Sequence, residues 1–184
     1  MYRTNLRILP LLCFLFFGFE LFPQSNHSIK FTACFLEDCS EFEADSTIRF
    51  GFIKVPEDRN DSNSRILNLA FVQLKSLSSN PKEDPIVHLS GGPGSNSIER
   101  INRWTSHFMR EDRDIILIDF RGIGYSSPPI CESLTDAYFE IVASDLTPEE
   151  EQKAKIEAAF QCFDSLKNEQ YDFESYRSQS IVFD

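Results

Sequence analysis

Two short apolar runs, each ending abruptly in glycines, most constrain how this chain folds. The first covers 85–90 and leads into Gly91-Gly92-Pro93-Gly94, and the second covers 115–120 and leads into Arg121-Gly122-Ile123-Gly124. Apolar runs of this length without alternation are typical of strands buried on both faces of a mostly parallel sheet. Glycine turns at the ends of such strands leave backbone N–H groups at a sheet edge, where they can bind an anion or an oxyanion.

The composition indicates one globular domain and excludes a nucleic-acid partner. Hydrophobic residues make up 41% and charged residues 26% of the 184 residues, as in folded domains with a sizeable core. The formal net charge is −11, whereas proteins that bind nucleic acid present a basic face. We therefore expect no nucleic acid among the partners of this chain.

The N-terminal segment has the pattern of a secretory signal. Arg3 and Arg7 precede an apolar stretch over 8–19, which is shorter than the roughly 20 residues that a membrane-spanning helix needs. We predict that 1–25 is a signal peptide, that 26–184 is the exported domain, and that the protein is secreted or periplasmic without stable membrane insertion. The alternative is an uncleaved segment that anchors the chain in a membrane.

If the chain is exported, its cysteines are expected to form disulfides, because disulfides form in oxidising compartments. The cysteines outside the signal peptide are Cys34, Cys39, Cys131 and Cys162. Four cysteines permit three pairings, and the spacing favours Cys34 with Cys39 and Cys131 with Cys162. The alternative is that all of them are reduced and buried.

Neither a metal site nor a cofactor site is predicted. The histidines, His27, His88 and His107, are scattered, and no Cys-x-x-Cys motif occurs, so zinc is not expected. A dinucleotide-binding Gly-x-Gly-x-x-Gly would need a third glycine where Ser127 stands, and the chain has no Walker motif.

The segments around the glycine turns predict an antiparallel pair followed by a strand, a helix and a strand. The β-rich segments 47–55 and 66–75 flank a turn-forming run. Between the glycine turns, apolar residues at helical spacing predict a helix capped by Ser97. Those apolar residues are Ile98, Ile101, Trp104 and Phe108. This succession indicates a right-handed crossover between two parallel strands.

Two more helices are predicted in the last part of the chain. One begins at Thr147, because Thr147 and Glu150 match a capping box and Pro148 occupies the first helical position. The predicted buried stripe of this helix consists of Ile156, Ala159, Phe160, Phe163 and Leu166. The other helix opens over 178–184.

The order and strand context of the glycine turns resemble the α/β-hydrolase fold. Within that fold they resemble the proline-iminopeptidase and tripeptidyl-aminopeptidase group of serine peptidases, peptidase family S33. Val55-Pro56-Glu57-Asp58-Arg59 is similar to an element after the first strand in that group, and Cys131 and Cys162 match a cysteine pair common there. One departure is Ser90, which stands where the iminopeptidases usually have histidine.

The resemblance implies a fold for residues 26–184. It implies an α/β chain that forms the N-terminal half of an α/β-hydrolase sheet, in which an antiparallel β pair leads into parallel strands with crossover helices. The same resemblance implies that the sheet is incomplete at the C-terminus of this sequence.

The resemblance also implies roles for the residues of the two turns. Gly91 and Gly92 belong to the oxyanion-hole loop, and their N–H groups would face the oxyanion. The structural residues of the motif are Pro93, Gly94, Asp119, Arg121, Gly122, Gly124 and Ser126. Among these, Asp119 and Arg121 are expected to brace the loops beside the active site. His88 is most simply a strand residue and not a catalytic base.

The catalytic triad of this fold follows in the order Ser, Asp or Glu, His, and no Gly-x-Ser-x-Gly occurs in the sequence. Gly124-Tyr125-Ser126 lacks the second glycine and follows the wrong strand. The implied function is a secreted serine hydrolase, an aminopeptidase acting on peptide substrates without a cofactor. This chain would hold the oxyanion-hole loop, lack the triad and be inactive alone. The alternatives are an esterase or lipase-like hydrolase and an inactive truncated remnant.

Overall fold

The computed structural model describes residues 28–92 and 94–184. The predicted signal peptide, 1–25, and Pro93 of the first glycine turn lie outside the described residues.

A mixed five-stranded sheet forms the centre of the fold. Its strands are β1 (Ser28–Thr32), β2 (Ile48–Pro56), β3 (Ile66–Leu74), β4 (Ile86–His88) and β5 (Ile115–Ile118). Their order across the sheet is β1-β2-β3-β5-β4. β1, β2, β3 and β5 pair with antiparallel neighbours, and β4 pairs with β5 in parallel. The predicted antiparallel pair is therefore present as β2 and β3, and the α/β character of the chain is confirmed.

The α-helices are α1 (Ile101–Thr105), α2 (Glu132–Ala143), α3 (Pro148–Asn168) and α4 (Ser178–Val182), and 3₁₀ turns form at Ile98–Arg100, Phe108–Glu111 and Phe173–Tyr176. The single helix predicted from Ser97 to Phe108 is thus divided, and Phe108 is exposed. The buried Arg110 explains where α1 ends, because its Nη1 donates to the carbonyl of Thr105 at 2.7 Å. Ser97 makes no side-chain cap bond.

The main core lies on one face of the sheet and is covered by the segment after the first glycine turn. Its buried members are Phe42, Ile48, Phe50, Ala70, Val72, Leu74, Ile98, Ile101, Ile115 and Leu117. A smaller cluster consists of Val55, Leu67 and Leu69. These side chains point to the other face of β2 and β3, because successive side chains of a strand alternate between the two faces of a sheet. Burial of this apolar surface is the main force that holds the crossover against the sheet.

The prediction that the first apolar run is buried on both faces is wrong. Val87 and Leu89 are 51% and 55% exposed. The reason is that β4 lies at the edge of the sheet and pairs with β5 alone among the described strands. Ile86 faces the main core instead, so β4 is covered on one face only.

α2 and α3 form an antiparallel hairpin. The predicted capping box begins α3: Thr147 Oγ1 accepts from the N–H of Glu150, and Glu150 Oε2 accepts from the N–H of Thr147. α2 was not predicted, because it begins at Cys131 in the left-handed region (φ 55°) without a side-chain cap, so no N-terminal signal marks it.

The predicted stripe of α3 is buried only at Leu166. Phe160 is 64% exposed, and Ile156 and Phe163 are about half exposed. In the described part of the chain α3 packs mainly against α2, so most of the predicted stripe stays partly or largely exposed.

Both favoured cysteine pairs lie at disulfide distance. The Cα atoms of Cys34 and Cys39 are 5.9 Å apart, and those of Cys131 and Cys162 are 5.7 Å apart. The second pair fixes the open end of the α2–α3 hairpin, because Cys131 precedes α2 and Cys162 lies late in α3.

We predict that peptide mapping without reduction recovers Cys131 linked to Cys162. Their separation of 31 residues means that replacing both with serine lowers the free energy of unfolding by roughly 3–4 kcal/mol in the chain-entropy model. Replacing Cys34 and Cys39, which are 5 residues apart, gives a smaller loss of about 2 kcal/mol. Finding Cys131 free, or linked to Cys34, would contradict this pairing.

Candidate functional site

The first glycine turn is closed by side chains at its two ends. The N–H of Ser90 donates to Ser97 Oγ at 3.0 Å, and Ser90 Oγ donates to the carbonyl of Asn96 at 2.9 Å. Ser97 Oγ in turn donates to the carbonyl of His88 at 3.4 Å. Ser90, the residue that departs from the iminopeptidase pattern, therefore ties the beginning of the turn to its end.

Between these ends, Gly91 and Gly92 present backbone donors to solvent. Both glycines are exposed, and their N–H groups have no hydrogen-bond acceptor among the described residues. Gly92 has φ +87°, a conformation that a side chain would strain, whereas a Cβ on Gly91 would meet nothing within 4 Å. The turn thus offers two successive free donors, the arrangement that an oxyanion or another anion requires.

The carboxylate of Asp119 joins the two glycine turns. Its Oδ1 accepts from the N–H of Ser97 at 2.6 Å and of Ile98 at 3.1 Å, directly after the first turn. Its Oδ2 accepts from the N–H of Tyr125 at 3.1 Å, in the second turn. Asp119 is only 1% exposed; this burial raises the pKa of its carboxyl, and the three N–H donors act in the opposite direction.

Close packing makes glycine necessary in the second turn. Gly122 and Gly124 have φ of +73° and +56°. A Cβ on Gly124 would collide with Asp119 Oδ2 and would lie 2.6 Å from Cβ of Asn96. A Cβ on Gly122 would collide with the side chain of Ile130. The second turn therefore lies against both Asp119 and the first turn.

Arg121 connects the second turn to more distant segments. It is 3% exposed, and its Nη1 donates to the carbonyls of Glu57 at 2.8 Å and Ser175 at 2.7 Å. Its Nε donates to Asp184 Oδ2 at 2.7 Å, and Arg59 Nη2 lies 2.6 Å from Asp184 Oδ1. The guanidinium thus holds together the turn after β2, the turn before α4 and Asp184.

Ser126 occupies a structural position. It is buried, and its Oγ accepts from the N–H of Ala70 at 2.8 Å and donates to the carbonyl of Asp119 at 2.7 Å. Ser127 continues the contact with β3, since its N–H donates to the carbonyl of Asn68 at 2.8 Å. A nucleophile must reach substrate and have a base beside it, and the Ser126 hydroxyl is engaged by two backbone groups instead.

His88 lies in β4, as predicted, and its ring packs on Trp104 with the centroids 4.6 Å apart. Burial, together with the charges of Arg100 and Arg103, lowers the pKa of His88, so the ring is neutral near pH 7. Its Nε2 and the Nε1 of Trp104 are buried without partners among the described residues. In the described part of the chain, no hydroxyl or carboxylate of the glycine turns hydrogen-bonds the imidazole ring of His88, since the contact from Ser97 Oγ goes to the backbone carbonyl.

Sequence reasoning missed the residues that hold the first turn in place. The sequence predicts Ser97 as a helix cap and indicates no role for Asn96 or Tyr125. Their functions depend on contacts with Ser90 and Asp119, which lie too far along the chain for a periodic or capping signal to reveal.

Within 28–92 and 94–184, no group of three or more His, Cys, Asp or Glu side chains is placed to hold a metal ion. None of the helices in these same ranges combines the length and the apolar character needed to cross a membrane.

Comparison with known proteins supports a hydrolase. No family model matches the chain. The chain is 30% identical over 131 residues to the Escherichia coli K12 protein described as "Putative hydrolase YuaR". The similar region covers 62% of this chain and 26% of that protein, so the match spans about a quarter of the relative's length. The similarity supports hydrolysis as the chemistry.

Proposed function

We propose that residues 26–184 form the N-terminal part of a secreted serine hydrolase of the α/β-hydrolase fold, and that the complete enzyme is an aminopeptidase. The observation that carries this proposal is the pair of free N–H groups at Gly91 and Gly92, in a turn fixed at both ends. The similarity to a protein described as a hydrolase supports the same chemistry.

The strand order supports the choice of fold. β5 lies between β3 and β4, and β3 runs antiparallel to both of its neighbours. If β1 is left out of the count as an additional edge strand, β4 is the third strand in chain order. The first glycine turn follows β4 and therefore follows this third strand. In α/β-hydrolases the loop after the third strand supplies one of the oxyanion donors.

The proposed role of the turn is to stabilise negative charge during acyl transfer. When a nucleophile attacks a carbonyl, the carbonyl oxygen becomes an oxyanion, and N–H donors already aimed at that position lower the barrier. The donors must not reorganise during the reaction. The bonds from Ser90, Ser97 and Asp119 meet this need, because they fix the backbone on either side of Gly91 and Gly92.

The proposal requires a nucleophile from outside the described residues. The sequence contains no Gly-x-Ser-x-Gly, and the Ser126 hydroxyl is buried between backbone groups. The coding DNA downstream of the Asp184 codon tests this requirement. A Gly-x-Ser-x-Gly followed by an acid and a histidine supports the enzyme, whereas an immediate stop codon supports an inactive remnant.

The choice of aminopeptidase rests on the resemblance of the glycine turns and of 55–59 to the iminopeptidase and tripeptidyl-aminopeptidase group. Assays of the complete enzyme with aminoacyl and tripeptidyl p-nitroanilides, N-blocked counterparts and p-nitrophenyl esters separate the alternatives. Hydrolysis that requires a free N-terminus supports the proposal, and hydrolysis of esters alone replaces it with an esterase.

We predict that the 184-residue chain alone does not turn over aminoacyl anilides or p-nitrophenyl esters, because its sequence has no Gly-x-Ser-x-Gly and the Ser126 hydroxyl is engaged by backbone groups. A fluorophosphonate probe should leave the purified chain unlabelled. Turnover that responds to a serine-directed inhibitor and survives a mock purification would show that the chain has a nucleophile of its own.

In the complete enzyme, Gly92→Val should lower kcat by about 100- to 1,000-fold, the effect of losing one oxyanion donor. Gly94→Val is the matched control, because Gly94 has a similar φ of +82° and a Cβ there meets nothing within 4 Å. Both variants carry comparable backbone strain, so their Tm values should fall together while kcat falls mainly for Gly92. Equal losses of kcat would assign Gly92 to turn geometry alone.

Asp119→Asn should lower the free energy of unfolding by about 1–3 kcal/mol. An amide can accept the N–H groups of Ser97 and Ile98 or that of Tyr125, but its NH₂ group then faces a donor at the other position. Asp112→Asn is the control for charge removal, because Asp112 forms an exposed pair with Lys82 worth at most about 1 kcal/mol. Equal stability losses in urea titrations would argue against the bridging role of Asp119.

A further inference from the structure

We infer that Phe35 is a positioning residue for the first glycine turn, that it acts through Tyr125 and Asp119, and that the Cys34–Cys39 bridge holds Phe35 in place. The consequence for catalysis rests on the proposed function. The structural relay itself does not, and it can be tested on the 184-residue chain.

Phe35 lies in a short covalent loop and reaches into an aromatic cluster. The segment from Cys34 to Cys39 has no helix or strand, so the bridge between them is the local constraint on the backbone of Phe35. The half-buried Phe35 ring lies 5.3 Å from that of Phe50 and 5.0 Å from that of Phe52, both in β2. These contacts place the ring against β2.

The same ring contacts the second glycine turn. The ring centroids of Phe35 and Tyr125 are 5.4 Å apart. Among the described residues, Phe35 is the aromatic side chain that packs on Tyr125. Tyr125 directly follows Gly124, which has a positive φ, and Tyr125 lies in a turn and not in a paired strand. Packing of its ring therefore helps to set where the Tyr125 N–H points.

That N–H leads to the first turn through one carboxylate. Tyr125 donates to Asp119 Oδ2, and the other oxygen of the same carboxylate accepts from Ser97 and Ile98. Because both oxygens belong to one rigid group, a carboxylate that rotates after losing Tyr125 also weakens its bonds to Ser97 and Ile98. Ser97 in turn closes the glycine turn through Ser90.

Amide hydrogen exchange measured by NMR on the oxidised chain tests the relay. Phe35→Leu and Phe35→Met remove the aromatic contact, and Phe35→Tyr keeps it. Phe42→Leu is the matched control, because Phe42 belongs to the same core and its ring lies 6.3 Å from that of Phe50. Global stability is measured for each variant, so exchange is compared at equal free energy of unfolding.

We expect Phe35→Leu and Phe35→Met to accelerate exchange at Ser97, Ile98 and Tyr125 by about tenfold, the effect of losing roughly one hydrogen bond. Phe42→Leu should accelerate exchange at these three amides no more than its own loss of global stability predicts. Phe35→Tyr should keep the native exchange rates. Equal acceleration by Phe42→Leu, or no acceleration by either Phe35 variant that folds, would overturn the relay and leave Phe35 as core packing.

The complete enzyme provides a separate readout. The relay predicts that Phe35→Leu lowers kcat with little change in KM, whereas Phe42→Leu changes neither beyond its effect on the folded fraction. An enzyme without hydrolase activity would refute the proposed function and leave the exchange result standing. Accelerated exchange with unchanged kcat would overturn the catalytic consequence alone.

Discussion

The buried carboxylate of Asp119 is the interaction on which the arrangement of the two glycine turns depends. It accepts hydrogen bonds from backbone N–H groups just after the first turn and from one within the second turn. In the described structure, strand pairing does not join the two turns to each other. A carboxylate removed from water is strongly destabilising unless hydrogen bonds compensate it, and among the described residues three backbone donors do so. The donors are satisfied only when both turns are in place, so the carboxylate selects one geometry and penalises others.

Arg121 is a second buried charge, and it lies on the other side of the second turn. Its guanidinium is fully buried, and it is satisfied by carbonyls from two distant segments together with the carboxylate of Asp184. Removing one partner of such a pair leaves a buried charge, which typically costs about 3–5 kcal/mol. Asp119 and Arg121 lie two residues apart, so one short segment carries the anion that fixes the first turn and the cation that fixes the segment before α4.

Local signals in the sequence predicted a large part of the fold. The antiparallel pair, the strands before the glycine turns and the capping box at Thr147 depend on residues a few positions apart, and all are present. α2 was not predicted, because no cap marks its beginning. The prediction that β4 is buried on both faces was wrong, because the edge position of a strand is a property of the whole sheet. The candidate site shows the same division: glycines that need a positive φ are visible in the sequence, but the contacts of Ser90 and Tyr125 are tertiary.

The residues that fix the first turn all lie outside the two glycines that would act on a substrate. Gly91 and Gly92 have no side chains that could interfere, and their N–H groups are left free, while Ser90, Ser97 and Asp119 use their own polar groups to hold the flanking backbone. This separation would meet two opposed requirements of the proposed oxyanion site. The donors must be unpaired before the reaction, and they must not move when charge develops. A turn held from its flanks by buried and half-buried groups can keep exposed donors fixed, whereas a turn held through its own N–H groups would have none left to offer.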